Sequence, residues 1–417
     1  MSKKIEYGTL LLLLLIYIFS FVDRQIVAVL GVAIRDSLQL TNFQIGLLYG
    51  PAFSFIYAIA GIPMGRLADR VSRKVMICTG LFIWSLMTVL SGFAASFTFL
   101  VTARLFVGLS QAMLSPAVYS YLADEYSPAA RATVFSVYAG GIFIGIGLSF
   151  LVGGTLAFHY DWRVAMIAAG IPGLVVAPVA WQILKEPERR GSRTLPEATL
   201  FRTIRRILRK RAVRWHLTGF AALACTGYTI LGFIGNLFSD LHHSPEYVAR
   251  YGYFMFGVAV TVVIAGKAAD LLAKKDPAHR FYVGMVAAVG GLPFYLAGLL
   301  SSSVQTAFWC MGFGVLISSS YNGVAAALLQ YFVKSSERAL AGGLYLFVIS
   351  IAGFGIGPPL TGLLTDSVWS GDNAIAKSML TVILICSSIA VYSFSRAITY
   401  YHEDAELFHE PLPEPEP

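Results

Sequence analysis

Two adjacent ionisable residues, Asp23 and Arg24, lie inside an apolar run that extends from about residue 7 to residue 31. The run is long enough to cross a bilayer, which takes roughly 20 residues. A carboxylate at that depth costs about 2.5–3.5 kcal/mol on insertion scales, and such groups are typical of transport pathways. The pair therefore predicts a transporter in which Asp23 binds a proton or a substrate.

Arg104 is a third ionisable residue within an apolar run, and Gln111 follows it two helical turns later on nearly the same face. At a rise of about 1.5 Å per residue, Asp23 and Arg104 lie roughly 6 Å and 9 Å outward of the middle of their helices. The shared depth predicts an Asp23–Arg104 ion pair. An ion pair that only fixes helix packing is the alternative.

A coupling mechanism follows from these residue types. When the cavity opens to the outside, water reaches Asp23 and a proton can bind. Protonation removes the charge and weakens the hold on Arg104 and Arg24. Either guanidinium is then available for a phosphate or carboxylate of the substrate, which it binds bidentately.

The composition supports a membrane protein. Hydrophobic residues make up 57% of the 417 residues and charged residues 13%, whereas a soluble domain has about 25% charged residues. The four cysteines all lie in apolar runs with no metal-ligand spacing, so we expect free thiols, no metal and no cofactor. The first apolar run is too long for a signal peptide and is interpreted as the first span.

Apolar runs and the distribution of basic residues predict twelve membrane spans with both termini on one side. Of the 31 Lys and Arg residues, 25 lie on that side, four on the other and two within spans. Positive charge marks the cytoplasmic side, so both termini are expected in the cytoplasm. The predicted spans are 7–31, 42–65, 75–95, 98–123, 131–157, 163–183, 213–238, 248–268, 280–301, 305–333, 338–365 and 376–400.

The spans divide into two bundles of six, residues 1–183 and 213–400, joined by a basic linker over residues 184–212. Apolar residues recur at helical spacing in the linker, which predicts an amphipathic helix on the anionic inner leaflet. We expect no nucleic-acid partner because no nucleic-acid motif accompanies the basic residues. Residues 401–417 are acidic and Pro-rich, which predicts a disordered cytoplasmic tail.

The two bundles carry matching segments. GRLAD at 65–69 ends span 2 and GKAAD at 266–270 ends span 8, at an offset of 201 residues. Span 5 opens with Arg-Ala and has a tyrosine seven residues after the arginine (131–138), as span 11 has (338–345), at an offset of 207 residues. Both copies keep the same side inside, so the pattern predicts a parallel repeat of six spans.

The loop GRLADRVSRK at residues 65–74 resembles the signature of the major facilitator superfamily, G-x-L-A-D-R-x-G-R-K, and departs from it only at Ser72. The resemblance implies an all-α membrane fold, with two six-helix bundles related by a pseudo-two-fold axis. It also implies a monomer that works by alternating access and is not an enzyme. In the family this loop latches the bundles on the cytoplasmic side when the cavity faces out. The residues assigned to the latch are Gly65, Asp69, Arg70, Arg73, Arg131, Asp270 and Arg338.

Three further segments resemble the bacterial spinster-type branch: FVDRQ at 21–25, QIGLL at 44–48 and ARLFVGLSQA at 103–112. The branch implies proton coupling, lysophospholipid or sphingolipid-like substrates and a place in the bacterial inner membrane. It usually has glutamate at the position of Gln111. Either this member couples through Asp23 alone, or the glutamine is an engineered mimic of the protonated acid.

The second bundle has no ionisable residue in the central part of its spans and offers amide and hydroxyl groups instead. One charged wall and one apolar wall with hydroxyls suit an amphipathic substrate. The candidate substrate-binding residues are Arg24, Arg104, Gln111, Tyr228, Tyr321, Asn322 and Tyr345. Glycine clusters in spans 5 and 11 predict surfaces on which the bundles rock.

Two other transported classes stay open: small organic anions such as sugar acids, moved with protons, and drugs moved by broad efflux. A more polar second bundle would favour sugar acids. An ATP-driven pump is excluded by the lack of a G-x-x-x-x-G-K-[ST] loop in the sequence. The seven histidines lie outside the predicted spans or at their ends, which argues against a membrane enzyme.

Overall fold

The computed structural model describes residues 7–187, 197–333 and 337–408, and this part of the chain contains helices and no strand. Twelve of its helical segments are long and apolar enough to cross a membrane, as predicted. Their bounds are Tyr7–Val29, Asn42–Gly61, Arg73–Ser91, Phe97–Glu125, Val134–His159, Trp162–Ile183, Arg211–Leu241, Glu246–Ala273, Pro277–Leu299, Val304–Phe332, Leu340–Ser367 and Ala374–Asp404, numbered here as spans 1 to 12.

Irregular turns interrupt several spans, and they repeat between the two bundles. Span 4 is broken after Gln111 and span 10 after Ser318, with the following residues 207 positions apart. Span 5 contains a π-helical turn at Ser149–Gly153, and span 11 contains one at Ser350–Phe354, 201 positions later. The break in spans 4 and 10 has the 207-residue offset of the motifs in spans 5 and 11, which supports the parallel repeat. The two π-helical turns are offset by 201 residues instead, so they do not lie at matching positions of spans 5 and 11.

Because the number of spans is even, both ends of the described chain lie on one face of the molecule, here called the termini side; the other face is the far side. The two bundles meet on the far side, where span 2 contacts span 11, span 5 contacts span 8 and span 1 contacts span 7. Glycine permits close contacts here: a Cβ atom at Gly46 would lie 2.5 Å from the Pro358 carbonyl oxygen, and one at Gly252 would lie 2.6 Å from that of Gly147.

Toward the termini side the same spans have open space beside them. Outside its own stretch of helix, no described heavy atom lies within 4 Å of the position that a Cβ atom would take at Gly61 of span 2, at Gly65 one turn beyond it in the same helix, at Gly266 of span 8 or at Gly343 of span 11. Among the described residues the bundles are therefore in contact on the far side, with open space beside these glycines on the termini side.

The glycine clusters of span 5 are shared between two partners rather than forming one rocking surface. Gly141 and Gly145 pack against span 1 within the first bundle, at Leu14 and Ile18. Gly147 and Gly154 of the same span pack against span 8 of the second bundle. Only the second pair therefore lies between the bundles, because glycines separated by roughly two turns in a helix lie on one face whereas those offset by two residues do not. Rocking on this surface stays a prediction.

The linker helix, Glu197–Arg209, is docked on the second bundle. Ile207 is 1% exposed in the core of that bundle, Arg206 forms an ion pair with Glu337, and the Lys210 ammonium donates to the Phe332 carbonyl. A helix is thus present where the sequence predicts an amphipathic helix, and part of its apolar face is covered by protein.

The predicted start of a disordered tail at residue 401 is wrong, because the last helix continues to Phe408. Tertiary contacts hold this extension: Tyr401 packs edge-on against Phe332, and the Asp404 carboxylate accepts from the Ala212 amide at 2.6 Å. The prediction of disorder used the composition of the tail alone, which contains no information about these tertiary contacts. Residues 409–417 lie outside the described residues.

Candidate transport site

Asp23 lies on span 1 where spans 3 and 4 pack against it, and its side chain is buried, with 1% of it exposed. Arg104 of span 4 lies near enough to act on the carboxyl group electrostatically, and the Thr88 hydroxyl of span 3 lies beside the group but donates to the Trp84 carbonyl oxygen at 3.0 Å. Neither carboxyl oxygen has a hydrogen-bond partner among the described residues. In this conformation the group is walled off from the cavity.

The predicted direct ion pair between Asp23 and Arg104 is replaced by hydrogen bonds to the main chain. The Arg104 Nη1 atom donates to the Asp23 carbonyl oxygen at 2.8 Å, and Nη2 donates to the Arg24 carbonyl oxygen at 3.1 Å. The guanidinium thereby ties span 4 to span 1 where the two charged residues stand. Asp23 and Arg104 lie close together, as their shared depth predicts. Which of their atoms meet depends on the rotation of span 1 about its axis, which the sequence does not specify.

Arg24, about 100° around the helix from Asp23, is half-buried and lies within electrostatic reach of Tyr228 of the second bundle. Its Nη2 atom donates to Gln111 Oε1 at 3.2 Å, and it forms no salt bridge with a described residue. The rings of Phe21, Phe53 and Tyr57 surround its guanidinium, with centroids 4.5–4.8 Å from Cζ. A cation held by rings and one neutral amide keeps donors for an anionic ligand.

Gln111 connects this arginine to the main chain of span 1. Its Nε2 atom donates to the Ser20 carbonyl oxygen at 3.1 Å, which orients Oε1 toward Arg24. The side chain is buried and therefore has a fixed position. The structure brings Arg24, Arg104 and Gln111 together near Asp23, and within this group Gln111 is hydrogen-bonded to Arg24.

Gln25, which the sequence analysis did not select, bridges both bundles beside this site. It is buried, donates through Nε2 to the Leu231 carbonyl oxygen of span 7 at 3.2 Å, and accepts from the Tyr49 hydroxyl of span 2 at 2.9 Å. Tyr49 in turn packs against Gly232 of span 7. Gln25 could have been selected from the sequence because it is a polar residue inside an apolar span, directly after Arg24.

The second bundle contributes aromatic residues, as predicted. Tyr228 packs against Phe354 with ring centroids 3.6 Å apart and lies near enough to Arg24 to interact with it electrostatically. Tyr321 and Tyr345 are buried and interact electrostatically with Tyr228. Asn322 is exposed, and its side-chain amide donates to the Ser319 carbonyl oxygen of its own helix at 2.7 Å.

A tyrosine cluster in the first bundle was missed. The Tyr17 ring stacks on Tyr138 of span 5 at 4.1 Å, and Tyr119 of span 4 packs edge-on against Tyr138 at 5.8 Å. Arg24 acts electrostatically on both Tyr17 and Tyr138. Tyr17 precedes Arg24 by seven residues, two helical turns on one face, and this spacing could have identified it.

A second charged cluster closes the far side, and the sequence analysis did not find it either. Arg35, in the short helix Gly31–Leu38, forms a bidentate pair with Asp240 of span 7, at 2.7 and 3.0 Å. Asp366 of span 11 accepts from the side-chain amide of Asn42 at 2.8 Å and from the Phe43 amide at 2.7 Å. Both contacts join one bundle to the other; together they are called the far-side clamp.

Disrupting this clamp is expected to raise the population of far-side-open molecules. Since the Arg35 and Asp240 side chains are 18% and 31% exposed, solvent screening limits the effect of Asp240→Asn to roughly 1.5- to fivefold. The measurement is the electron–electron distance between spin labels at Gln39→Cys and Asp372→Cys, in a Cys310→Ser background. Far-side-open molecules would add a population with a longer distance between the labels. Asp36→Asn is the matched control because Asp36 also pairs with Arg35 but lies in the same bundle, 62% exposed. Equal distance distributions for D240N and D36N would contradict a role for the clamp.

The residues assigned to the latch on the termini side make no described contact between the bundles. Arg73 is buried and binds Asp124 and Glu186, both in the first bundle. Burial raises the pKa of Glu186, but the Lys74 amide, the Ser72 hydroxyl and the Arg73 guanidinium outweigh it and hold that pKa below its usual value.

The other latch residues are consistent with open bundles. Arg70 and Asp270 are exposed, Asp270 lies 4.0 Å from Arg280 of its own bundle, and Gly65 has free space beside it. The side chains assigned to the latch that lie outside the described part of the structure are those of Asp69, Arg131 and Arg338. The latch stays a prediction, for a conformation closed on this side.

Twelve apolar helices in two bundles, closed on one side around buried charged residues, define a multi-pass membrane transporter. Residues 13–354 match the Major Facilitator Superfamily, and the chain belongs to that family. It is accordingly a transporter of small molecules and not an enzyme, as predicted.

Relatives and solved structures agree with this assignment. The chain is 27% identical to an MFS-type efflux pump of Mycolicibacterium smegmatis, over 94% of this chain and 92% of the pump. It is 24% identical to the hexuronate transporter of Bacillus subtilis, over 95% and 96% of the two chains. A bacterial homologue of the human lysosomal transporter spinster, solved in an inward-facing and unoccupied conformation, superimposes with a TM-score of 0.84 at 24% identity and covers 99% of this chain and 100% of its own. The resemblance to the spinster-type branch is confirmed.

Proposed function

We propose that the protein is a proton-coupled secondary transporter of an amphipathic, lipid-like substrate with an anionic head group, such as a lysophospholipid or a sphingolipid relative. Arg24 carries this proposal. Its guanidinium lies between the bundles near Tyr228, forms no salt bridge with a described residue and is surrounded by three aromatic rings. A guanidinium binds phosphate and carboxylate groups bidentately, so it is suited to the head group.

The walls around Arg24 suit a hydrocarbon tail. Tyr57 and the tyrosine cluster of Tyr17, Tyr119 and Tyr138 lie in the first bundle, and Tyr228 faces them from the second. Tyrosine offers apolar ring surface with one hydroxyl, which accommodates both the tail and the polar part of a lipid. The opening on the termini side, which we infer to be the cytoplasm of a bacterial cell, gives the substrate its access.

Coupling to protons is assigned to Asp23. A buried carboxyl group without hydrogen bonds has a free energy that depends strongly on its charge, so gaining or losing a proton changes the relative stability of the conformations. Arg104 senses the change because it holds the main chain of Asp23 and Arg24. The movement of a proton at Asp23 would thus reposition Arg24 through span 1.

A transport assay in reconstituted vesicles tests the substrate class. Lysophosphatidylglycerol and galacturonate are offered separately at two pH values, with and without a proton gradient. We expect gradient-dependent movement of the lysolipid and little movement of the sugar acid. Movement of galacturonate alone would overturn the lipid-like assignment and favour the sugar-acid class, for which the hexuronate transporter is a relative.

Asp23→Asn is expected to abolish the effect of the proton gradient on the initial rate, since the amide is nearly the same size and does not titrate in this range. The measurement is the ratio of rates with and without the gradient, which should fall to about one. The same substitution at the exposed Asp36 controls for loss of a carboxyl group. A D23N protein that keeps the wild-type ratio would remove Asp23 from the coupling mechanism.

A further inference from the structure

The linker helix and the beginning of span 7 form a groove of about 560 Å³ on the termini side of the second bundle. Three arginines and two aliphatic residues line it: Ile204, Arg205, Leu208, Arg209 and Arg214. Among the described residues none of the three guanidiniums forms a salt bridge or a side-chain hydrogen bond. The groove is open, and it lies outside the transport site.

The arginines are concentrated there although they repel one another. Arg205 and Arg209 are four residues apart in the helix and therefore neighbours on its surface, where like charges are destabilising. The neighbouring basic residues Arg206 and Lys210 are used differently, since both bind the second bundle. The helix thus has one face that docks and another that presents unpaired positive charge, which indicates an anionic ligand.

The position of the groove indicates which anion. Arg214 belongs to the first turn of span 7, and Trp215 beside it packs edge-on against Tyr392 of span 12, which is 58% exposed. Tryptophan and tyrosine are enriched where a membrane span passes through the head-group layer. Arg214 and Trp215 at the start of span 7 therefore favour lipid phosphates as the anion, with Ile204 and Leu208 able to contact hydrocarbon.

We propose that this groove binds one anionic phospholipid, with the phosphate on the three arginines and the first carbons of an acyl chain on Ile204 and Leu208. The site is independent of the transported substrate, because it is formed within the second bundle and its linker. The docking contacts of Ile207 and Arg206 make it move with that bundle. Linker and bundle would then be fixed to the leaflet by the same lipid.

The test uses the full-length protein in nanodiscs of phosphatidylcholine with and without phosphatidylglycerol, and counts retained lipids by native mass spectrometry. Arg205→Gln/Arg209→Gln removes two charges from the groove. Since a basic residue near an anionic surface contributes roughly fivefold in affinity, retention of phosphatidylglycerol should weaken about 25-fold. The matched control is Arg202→Gln/Arg211→Gln, which removes the same charge from the same segment outside the groove, and should weaken retention by less than twofold.

Two further experiments separate a lipid site from a folding defect and from a site for free phosphate. Arg205→Lys/Arg209→Lys preserves charge and should retain most of the binding, which separates the site from a folding defect. Soluble glycerol 3-phosphate is expected not to displace the lipid at equal concentration. Equal losses in the groove variant and its control, or full displacement by glycerol 3-phosphate, would overturn the proposal in favour of diffuse charge attraction or a free-phosphate site.

Discussion

Replacing Arg24 with glutamine is expected to lower transport of lysophosphatidylglycerol by about 10- to 150-fold. A hydrogen bond to a charged group contributes about 1.5–3 kcal/mol, and every 1.4 kcal/mol is a factor of ten. Glutamine keeps a polar side chain near Gln111 but removes the charge that would bind the head group. If galacturonate is the probe that moves, the same loss is expected, since its carboxylate needs the same guanidinium.

The matched control for Arg24 is Arg250→Gln. Arg250 also lies over an aromatic ring, that of Tyr247 at 5.0 Å, but it stands at the start of span 8 on the far side. It should change the initial rate by less than twofold. Arg24→Lys should lie between glutamine and wild type, because lysine restores the charge without the planar pair of donors. An R24Q protein that transports at the wild-type rate would exclude Arg24 from substrate binding.

Gly46→Ala is expected to shift the equilibrium toward the far-side-open conformation by roughly 5- to 150-fold. The added Cβ atom would lie 2.5 Å from the carbonyl oxygen of Pro358 and 2.8 Å from Cα of Pro359. These are main-chain atoms, so the two helices must separate, and overpacking of this kind costs about 1–3 kcal/mol. The cost falls only on the conformation in which spans 2 and 11 touch.

The measurement is the distance between the spin labels at positions 39 and 372, as for the clamp variants. Gly61→Ala is the matched control, because it lies on the same span with no described atom within 4 Å of the added methyl group. It should leave the distances unchanged. A G46A protein with the wild-type distance distribution would show that this contact does not set the conformational equilibrium.

Most of the fold could be predicted from the sequence, because a bilayer requires long apolar helices and a repeat requires matching segments. The charged site was largely predicted for the same reason: Asp23, Arg24 and Arg104 are conspicuous where charge is costly. The hydrogen bonds that Arg104 donates to the main chain of Asp23 and Arg24 could not be predicted, since they depend on the rotation of span 1 about its axis. A rotation of about 100° decides whether Asp23 or Arg24 faces the cavity.

The far-side clamp could not be predicted for a different reason. Arg35 and Asp240 are 205 residues apart, Asn42 and Asp366 are 324 residues apart, and none of them belongs to a motif. They stand at the ends of spans, where charged residues are common and carry no penalty. Their pairing also belongs to one conformation, whereas the latch motif on the opposite side is expected to act in another.

The carboxylate of Asp366 has a consequence for how span 2 behaves when the bundles part. The first amides of a helix have no partner within it; here those of Asn42 and Phe43 donate to Asp366 of the other bundle, and that of Gln44 donates to the Thr41 hydroxyl. Separation strips two of these three amides of their acceptor. The start of span 2 should then fray, so amide hydrogen exchange at residues 42 and 43 becomes a label-free record of how often the transporter opens on the far side.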